Sequence, residues 1–436
     1  MATAQASFRA DFFRLAAANV VSNLMVPLAG IVDTAFLGHL AEIRHLAGVA
    51  LATVIFNVVY WSFGFLRMGT TGMTAQAQGR SDAAEVRLIA LRNGAIALTL
   101  GVLILLLQVP IRELGFGLLT AEAAVQQSGY DFFNARVWDA PAVLLNLVLL
   151  GWFLGREQGQ RVIVLSIVGN ASNVVLNYLF INLWGWGSMG AGLGTALSQY
   201  LMLAVGLSLV LREGNWAQWR AVVPQIWETQ ALKGLFRLNR DILIRTFALV
   251  ISFAMFTQFS SAMGTQVLAA NTLLLQGVTL SAYFIDGIAF ATESFAGRFY
   301  GSRDRTQLSY LLRLGGSTSL ALGLAFALAL ALFPDLLFGL LTSHSDVLIE
   351  VRRFVWWLLP CLGMGAIAYL LDGYFLGLTA GHTLRNSTLI AAGLGFLPLA
   401  FLAQATASPH LLWLALTSFM SLRAITLGMT VPATLR

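Results

Sequence analysis

The chain reads as an all-α polytopic membrane protein, with twelve transmembrane helices in two six-helix bundles related by a parallel internal repeat. Three observations predict this. The composition is 58% hydrophobic and only 11% charged, with a mean hydropathy of +0.77, far outside the range of soluble globular domains. Apolar runs long enough to cross a hydrocarbon core of roughly 30 Å recur from Phe12 to Pro432. The same short motifs also return at one fixed offset.

Taken in order, the apolar runs place spans at 12–37, 46–66, 88–109, 130–154, 161–183, 190–211, 238–260, 267–291, 309–333, 352–377, 384–405 and 410–431. No large soluble domain fits between them. The N-terminus lacks a small-residue cleavage site after a short apolar core, so the first run is expected to be a retained span and not a signal peptide. Cys361, the single cysteine, lies in the tenth span and excludes an intramolecular disulfide.

The net charge of +6 does not require a nucleic-acid partner. Placed against the twelve spans, 20 basic residues, Arg245 and Arg436 among them, fall on one side of the membrane. Only 5 fall on the other (Arg44, Arg112, Arg136, Arg352 and Arg353), and Arg423 lies inside the last span. That asymmetry is the positive-inside pattern and predicts cytoplasmic termini in a bacterial inner (plasma) membrane.

The repeat has an offset of 222 residues. FGLLT at Phe116 to Thr120 returns at Phe338 to Thr342, GWFLG at Gly151 to Gly155 returns as GYFLG at Gly373 to Gly377, and Gly159 meets Gly381. QAQGRSD (76–82) lies over RFYGSRD (298–304). An offset that contains an even number of spans gives two halves of the same orientation. The halves are read as an N-lobe, residues 1–220, and a C-lobe, residues 221–436, joined through the polar segment from Arg212 to Arg240. Paired lobes of this kind suit alternating access about a central cavity.

Several chemistries are disfavoured. Lys233, the one lysine, is not in a phosphate-cradling loop, so ATP is not the expected energy source. The histidines (His39, His45, His344, His382 and His410) show no metal-ligand spacing. No enzyme, cofactor or metal site is implied.

Polar residues inside the spans carry the functional reading. Asn19, Asn23, Gly30 and Asp33 lie along one face of the first span, and Pro27 leaves the carbonyl of Asn23 without its usual amide partner, which offers a place to bend. A charged Asp near the bilayer centre costs roughly 2.5–3.5 kcal/mol on insertion scales. Binding a proton removes that cost, so Asp33 is a proton-site candidate. In the fifth span Ser166, Asn170, Asn173 and Asn177 form an amide-rich face, and the glycine-rich sixth span adds Thr195, Ser198 and Gln199. Either face alone is equally well read as interhelical glue. Arg136 and Asp139, three apart in the fourth span, are expected to pair on one helix face. Asp286 and Asp372 have no basic residue close in sequence, and Tyr283, Tyr369 and Tyr374, with Phe284 and Phe290, suggest an aromatic wall for flat cations.

With these residues in view, the sequence resembles the multidrug and toxic compound extrusion (MATE) transporters, and within them the DinF branch. The resemblance is carried by PLAGIVDTAFLGHL (27–40), FLRMGTTGMTAQAQG (65–79), LLGWFLGREQ (149–158), VGNASNVVLN (168–177), LNRDILIR (238–245), YFIDGIAFATESFAGRFYG (283–301) and LLDGYFLG (370–377). It implies a two-lobed antiporter that moves amphipathic and cationic compounds outward against an inward flow of H+ or Na+. It also implies that Asp33, Asn173 and Thr195 match the family's polar positions on the first, fifth and sixth helices. Asn177 stands where relatives place a fifth-helix carboxylate, and the seventh-helix Glu of the NorM-like branch is missing. The expectation is therefore drug export coupled to H+, with Na+ as the alternative ion, by a monomer in contact with membrane lipid. Coupling rests on Asp33, Asn173, Asn177 and Thr195 with the bend at Pro27, and the cavity candidates are Asn23, Gly30, Asn170, Tyr283, Asp286, Tyr369 and Asp372. The alternative function is a lipid or lipid-linked-precursor flippase of the same superfamily.

Overall fold

The computed structural model describes residues 2–119, 121–213 and 216–435, with side chains from Gln5 onward. Thr120 of the first FGLLT and Arg436 of the basic count lie outside the described residues. Among those residues there are twelve helical segments long and apolar enough to span a membrane and no β-strand. We number them α1 (Gln5–Gly38), α2 (Arg44–Gly79), α3 (Ala83–Leu106), α4 (Ala123–Gly155), α5 (Gly159–Leu183), α6 (Gly187–Arg212), α7 (Thr229–Ala262), α8 (Thr265–Gly301), α9 (Arg305–Leu332), α10 (Ser345–Gly377), α11 (Gly381–Ala405) and α12 (Pro409–Thr434).

Every predicted span falls on one of these, the third and ninth running past the helix ends at Leu106 and Leu332, and several helices run further than predicted. α2 continues to Gly79 and α8 to Gly301, where the sequence turns polar. Hydropathy marks the apolar window, whereas backbone hydrogen bonding carries a helix on through Gln, Arg and Thr that face away from lipid. α2 is also interrupted, with one helix ending at Ser62 and the next starting at Phe65.

The chain forms two compact units. The N-unit is Val21–Lys233, and the C-unit is Gly234–Arg436 together with Met1–Val20. The first helix is therefore shared, and the chain passes between units seven residues before Pro27. In the C-unit part of α1, Phe8, Phe12, Leu15, Ala16 and Ala18 are buried. Phe8 stands edge-on to Phe295 at 5.1 Å and to Phe299 at 5.4 Å. In the N-unit part only Ala29 and Leu37 are buried. The N-unit core gathers Leu37, Phe56, Leu66, Phe116, Phe133 and Leu144, and the C-unit core Phe256, Leu274, Phe354, Leu362, Trp413 and Phe419.

The repeat seen in the motifs is built into the backbone. α2 ends in a turn where Ser81 has φ 57°, and α8 ends in one where Arg303, 222 positions on, has φ 60°. Both are Schellman motifs, with Asp82 N bonded to Ala77 O at 3.0 Å and Asp304 N to Phe299 O at 2.9 Å. Asp82 and Asp304 then cap the next helix by accepting from the amides of Glu85 and Gln307. Glu157 (φ 59°) and Thr379 (φ 54°) repeat the device after α4 and α10. Both of those helices contain a 3-10 turn, Val137–Asp139 and Val355–Trp357, and α5 and α11 each contain a π segment, Tyr178–Leu183 and Ala391–Phe396.

The paired glycines serve helix contact. A Cβ on Gly151 would stand 2.4 Å from Arg67 O and one on Gly155 2.6 Å from Thr71 O. At the same offset, a Cβ on Gly373 would stand 2.2 Å from Ala289 O and one on Gly377 2.3 Å from Glu293 O. Each GxxxG lets α4 lie on α2, or α10 on α8, backbone against backbone. Gly155→Ala and Gly377→Ala are each expected to lower the thermal midpoint of the purified protein, at a cost of about 1–3 kcal/mol. Gly428→Ala is the control, because nothing lies within 4 Å of its added methyl. A midpoint unchanged by either of the first two would show that the helices can separate freely.

Candidate functional site

In the N-unit the predicted polar positions resolve into two interhelical links. α1 carries Asp33 one turn and a half after Pro27 in a helix that stays continuous through the proline. Its neighbour Thr34 donates back to Gly30 O at 2.8 Å. Asn177 Nδ2, at the end of the regular part of α5, donates to Asp33 Oδ1 at 2.7 Å. One turn earlier, Asn173 Nδ2 donates to Thr195 Oγ1 on α6 at 3.1 Å, and the Thr195 hydroxyl donates to Ala191 O at 2.9 Å. Asp33, Asn173, Asn177 and Thr195 thus tie α1, α5 and α6 together. Asn170 does not join them, since its amide returns to Ser166 O at 2.8 Å within its own helix.

Two features missed in the sequence shape this arrangement. Gly194 packs on Asn177 so tightly that a Cβ there would stand 2.0 Å from Asn177 Oδ1. The MGAGLGTAL pattern signals close helix contact but does not say against what. The second is the π segment that begins at Tyr178, directly after Asn177. A π turn inserts an extra residue and re-aims the side chains beside it. Asn177 is itself fully buried, and its Oδ1 has no hydrogen-bond partner. Beside the Asp33 carboxylate there is therefore a second oxygen able to take a donor.

Of the remaining N-unit candidates, Gly30 faces open space and Asn23 is half-buried. Arg136 Nε does pair with Asp139 Oδ2, at 3.3 Å. The structure adds Tyr60, whose hydroxyl donates to Asp139 Oδ1 from 79 residues away.

In the C-unit the expectation for Asp372 is corrected. It has no basic neighbour in sequence, but two arginines reach it from other helices: Arg245 of α7, at 2.6 Å, and Arg423 of α12. All three residues are buried. Arg245, counted from its sequence position among the basic residues outside the bilayer, is a bundle residue. Burial explains the pairing, because a carboxylate or guanidinium removed from water must find its opposite. The aromatic wall is altered for the same reason. The guanidinium of Arg423 lies 5.5 Å from the Tyr369 ring centroid, so that face already holds a cation of the chain itself. Asp286 and Tyr283 are half-buried, and Asp286 lies within electrostatic range of Tyr369. Among the described residues no group of three or more His, Cys, Asp or Glu is placed to hold a metal ion.

The fold has known counterparts. The sequence profile of the MatE family matches twice, over residues 19–179 and 242–402, which restates the duplication. DNA damage-inducible protein F of Escherichia coli K12 is 35% identical over 420 residues, covering 95% of this chain and 90% of the relative. A probable multidrug resistance protein NorM of Thermotoga maritima is 24% identical over 350 residues, covering 79% of this chain and 74% of that one. Among solved structures, an outward-facing multidrug resistance MATE transporter superposes with a TM-score of 0.87 at 20% identity, covering 97% of this chain and 96% of the other. The Vibrio cholerae MATE transporter VcmN in its bent form gives 0.87 at 19% identity, over 100% and 98%. The chain belongs to the MatE family of membrane transporters.

Proposed function

We propose that this chain is a secondary antiporter that exports amphipathic and cationic organic compounds in exchange for inward-moving H+, with Asp33 as the coupling group. The observation that carries the reading is the bond from the neutral amide of Asn177 to the Asp33 carboxylate. Among the described residues Asp33 forms no ion pair; Arg136, itself paired with Asp139, acts on it only at electrostatic range, so a proton or an incoming cation would be its first direct counter-charge. A charge in such a place is costly, and each exchange of its proton has a large effect on the surrounding helices.

The mechanism follows from what each group can donate. The ionised Asp33 accepts from Asn177 Nδ2. The protonated acid turns from acceptor to donor at one oxygen, and the Asn177 amide, by rotating, offers the Oδ1 that lacks a partner in the ionised arrangement. The N-unit part of α1 has little buried apolar surface to hold it, so this exchange of bonds acts on a segment already prepared to bend at Pro27. Solved structures of this fold are described as MATE in a straight and in a bent conformation. Each pH unit of gradient supplies about 1.4 kcal/mol, a factor of ten in the substrate gradient for one-for-one exchange. Membrane potential adds about 2.3 kcal/mol per 100 mV for each net charge moved, which is one for a neutral substrate and none when one H+ exchanges for one monovalent cation.

The competing flippase reading draws on Arg245 and Arg423, two buried cations around one acid. A fluorescent-lipid translocation assay on the same vesicles separates it from drug export.

Purified protein in sodium-free proteoliposomes should drive ethidium across the membrane when a pH gradient is imposed. Asp33→Asn should bind ethidium but fail to accumulate it. Uphill export by Asp33→Asn equal to that of the parent overturns the coupling role, and a requirement for sodium overturns the choice of ion. Gly194→Ala, which displaces the Asn177 amide, should lower pH-driven ethidium export by about tenfold, the cost of losing one hydrogen bond to a charged group. Full coupled export by Gly194→Ala would mean that the position of this amide is not used.

A further inference from the structure

A second site lies away from Asp33, still wholly within the N-unit. The linker after α6 contains a short helix, Trp216–Val222, that roofs a groove between α3, α4 and α6. The groove is a cavity of about 520 Å³ lined mainly by aliphatic side chains such as Leu98, Leu145 and Leu207, with Trp216, Trp219 and Arg220 on the roof. It extends from the ends of these helices to Leu203, roughly 14 Å at the helical rise. Against it lies a polar pocket of about 300 Å³ that includes Arg87, Arg156, Glu213 and Gln218. Trp152 and Trp219 border both spaces, with ring centroids 6.1 Å apart.

The roof is pinned at both ends. Arg92 of α3, buried, donates to Gln225 O at 2.9 Å and to Ile226 O at 3.3 Å, and pairs with Glu85 and Glu228. At the other end Arg87 holds Gln218, and Arg156 holds Glu213 at 2.6 Å while stacking 4.3 Å over Trp152. In the polar pocket Arg156 and Arg161 both pair with Glu213 and Arg87 lies on the same wall, while Arg220 stands on the adjoining roof. Burial holds the Arg156 guanidinium below the ordinary arginine value.

An apolar slot next to a basic pocket, with tryptophans at the seam, matches an amphiphile with a negative head. The basic residues mark this end of the helices as the cytoplasmic one. The geometry points to a binding site for one anionic phospholipid of the cytoplasmic leaflet, its acyl chain in the slot and its phosphate at Arg87 and Arg156, with Arg220 on the adjoining roof. An amphipathic cation would face the same arginines and be repelled, so the site is distinct in chemistry from one for exported drugs.

The test is native mass spectrometry of the full chain in detergent, titrated with dioleoylphosphatidylglycerol or with dioleoylphosphatidylcholine. The first equivalent of phosphatidylglycerol should bind about tenfold more tightly than phosphatidylcholine. Arg87→Gln and the exposed Arg220→Gln should each weaken it about fivefold, in proportion to the charge lost. Gly94→Phe should remove the tight equivalent by filling the slot, since a Cβ at Gly94 has its nearest neighbour, Leu145, 4.0 Å away. Equal affinity for the two lipids, or variants that bind phosphatidylglycerol as the parent does, would mean an unspecific lipid shell and overturn the proposal. Tetraphenylphosphonium displacing phosphatidylglycerol from this site would overturn it as well.

Discussion

A polar side chain on a helix surrounded by apolar ones has to find its partner on another helix, and most of the long-range order here follows from that constraint. Asp33 finds Asn177, Asn173 finds Thr195, and Asp372 finds Arg245 and Arg423. Asn271 shows the same rule in purely neutral form, donating to Ser260 at 2.8 Å and accepting from Trp413 at 2.9 Å. Helix packing between Leu and Ile faces sets no register of its own in lipid. These links, together with the backbone contacts at the GxxxG glycines, do.

The partner's charge decides what each acid can do. Asp372 is held between two guanidinium groups, and a proton arriving there leaves two cations around a neutral acid. That is a brace. Asp33 has an amide, which can serve as donor or acceptor after a rotation, so proton binding exchanges one hydrogen bond for another. That arrangement can switch. The contrast explains why the N-unit carries the coupling proposal although both units contain a carboxylate inside a span.

Periodicity, hydropathy and the 222-residue offset were legible because they are local or translational properties of the chain. Twelve spans, the paired glycines and the recurrence of Asp82 at Asp304 could be found without knowing any contact. The partners of the acids could not, since Tyr60 and Asp139 are separated by 79 residues, and Arg245 and Asp372 by 127. No spacing rule connects them. The split of the asparagine face was hidden for a different reason. Asn170, Asn173 and Asn177 share one stripe, but only the approach of Gly194 and the π segment determine that the last two reach other helices while the first closes on itself. The groove beneath the linker was invisible as well, because its wall residues are ordinary lipid-facing leucines until a pinned strap covers them.

The duplication separates what the scaffold requires from what the chemistry requires. Turns with positive φ, N-caps and glycine contacts recur at the offset with nearly the same geometry, because each lobe must pack its own helices. The residues proposed for coupling do not recur. At the same offset Asp33 faces Met255 in the sequence and Asn177 faces Leu399, while Asp372, Arg245 and Arg423 fall opposite Leu150, Asn23 and Leu201. These two clusters thus occupy positions that the other lobe fills mainly with apolar side chains. Two titrating acids in matching places would divide the coupling between two lobes. On the proposed reading, the acid held by a neutral amide is the one whose bonding changes with a proton, and the acid held between two guanidinium groups is not.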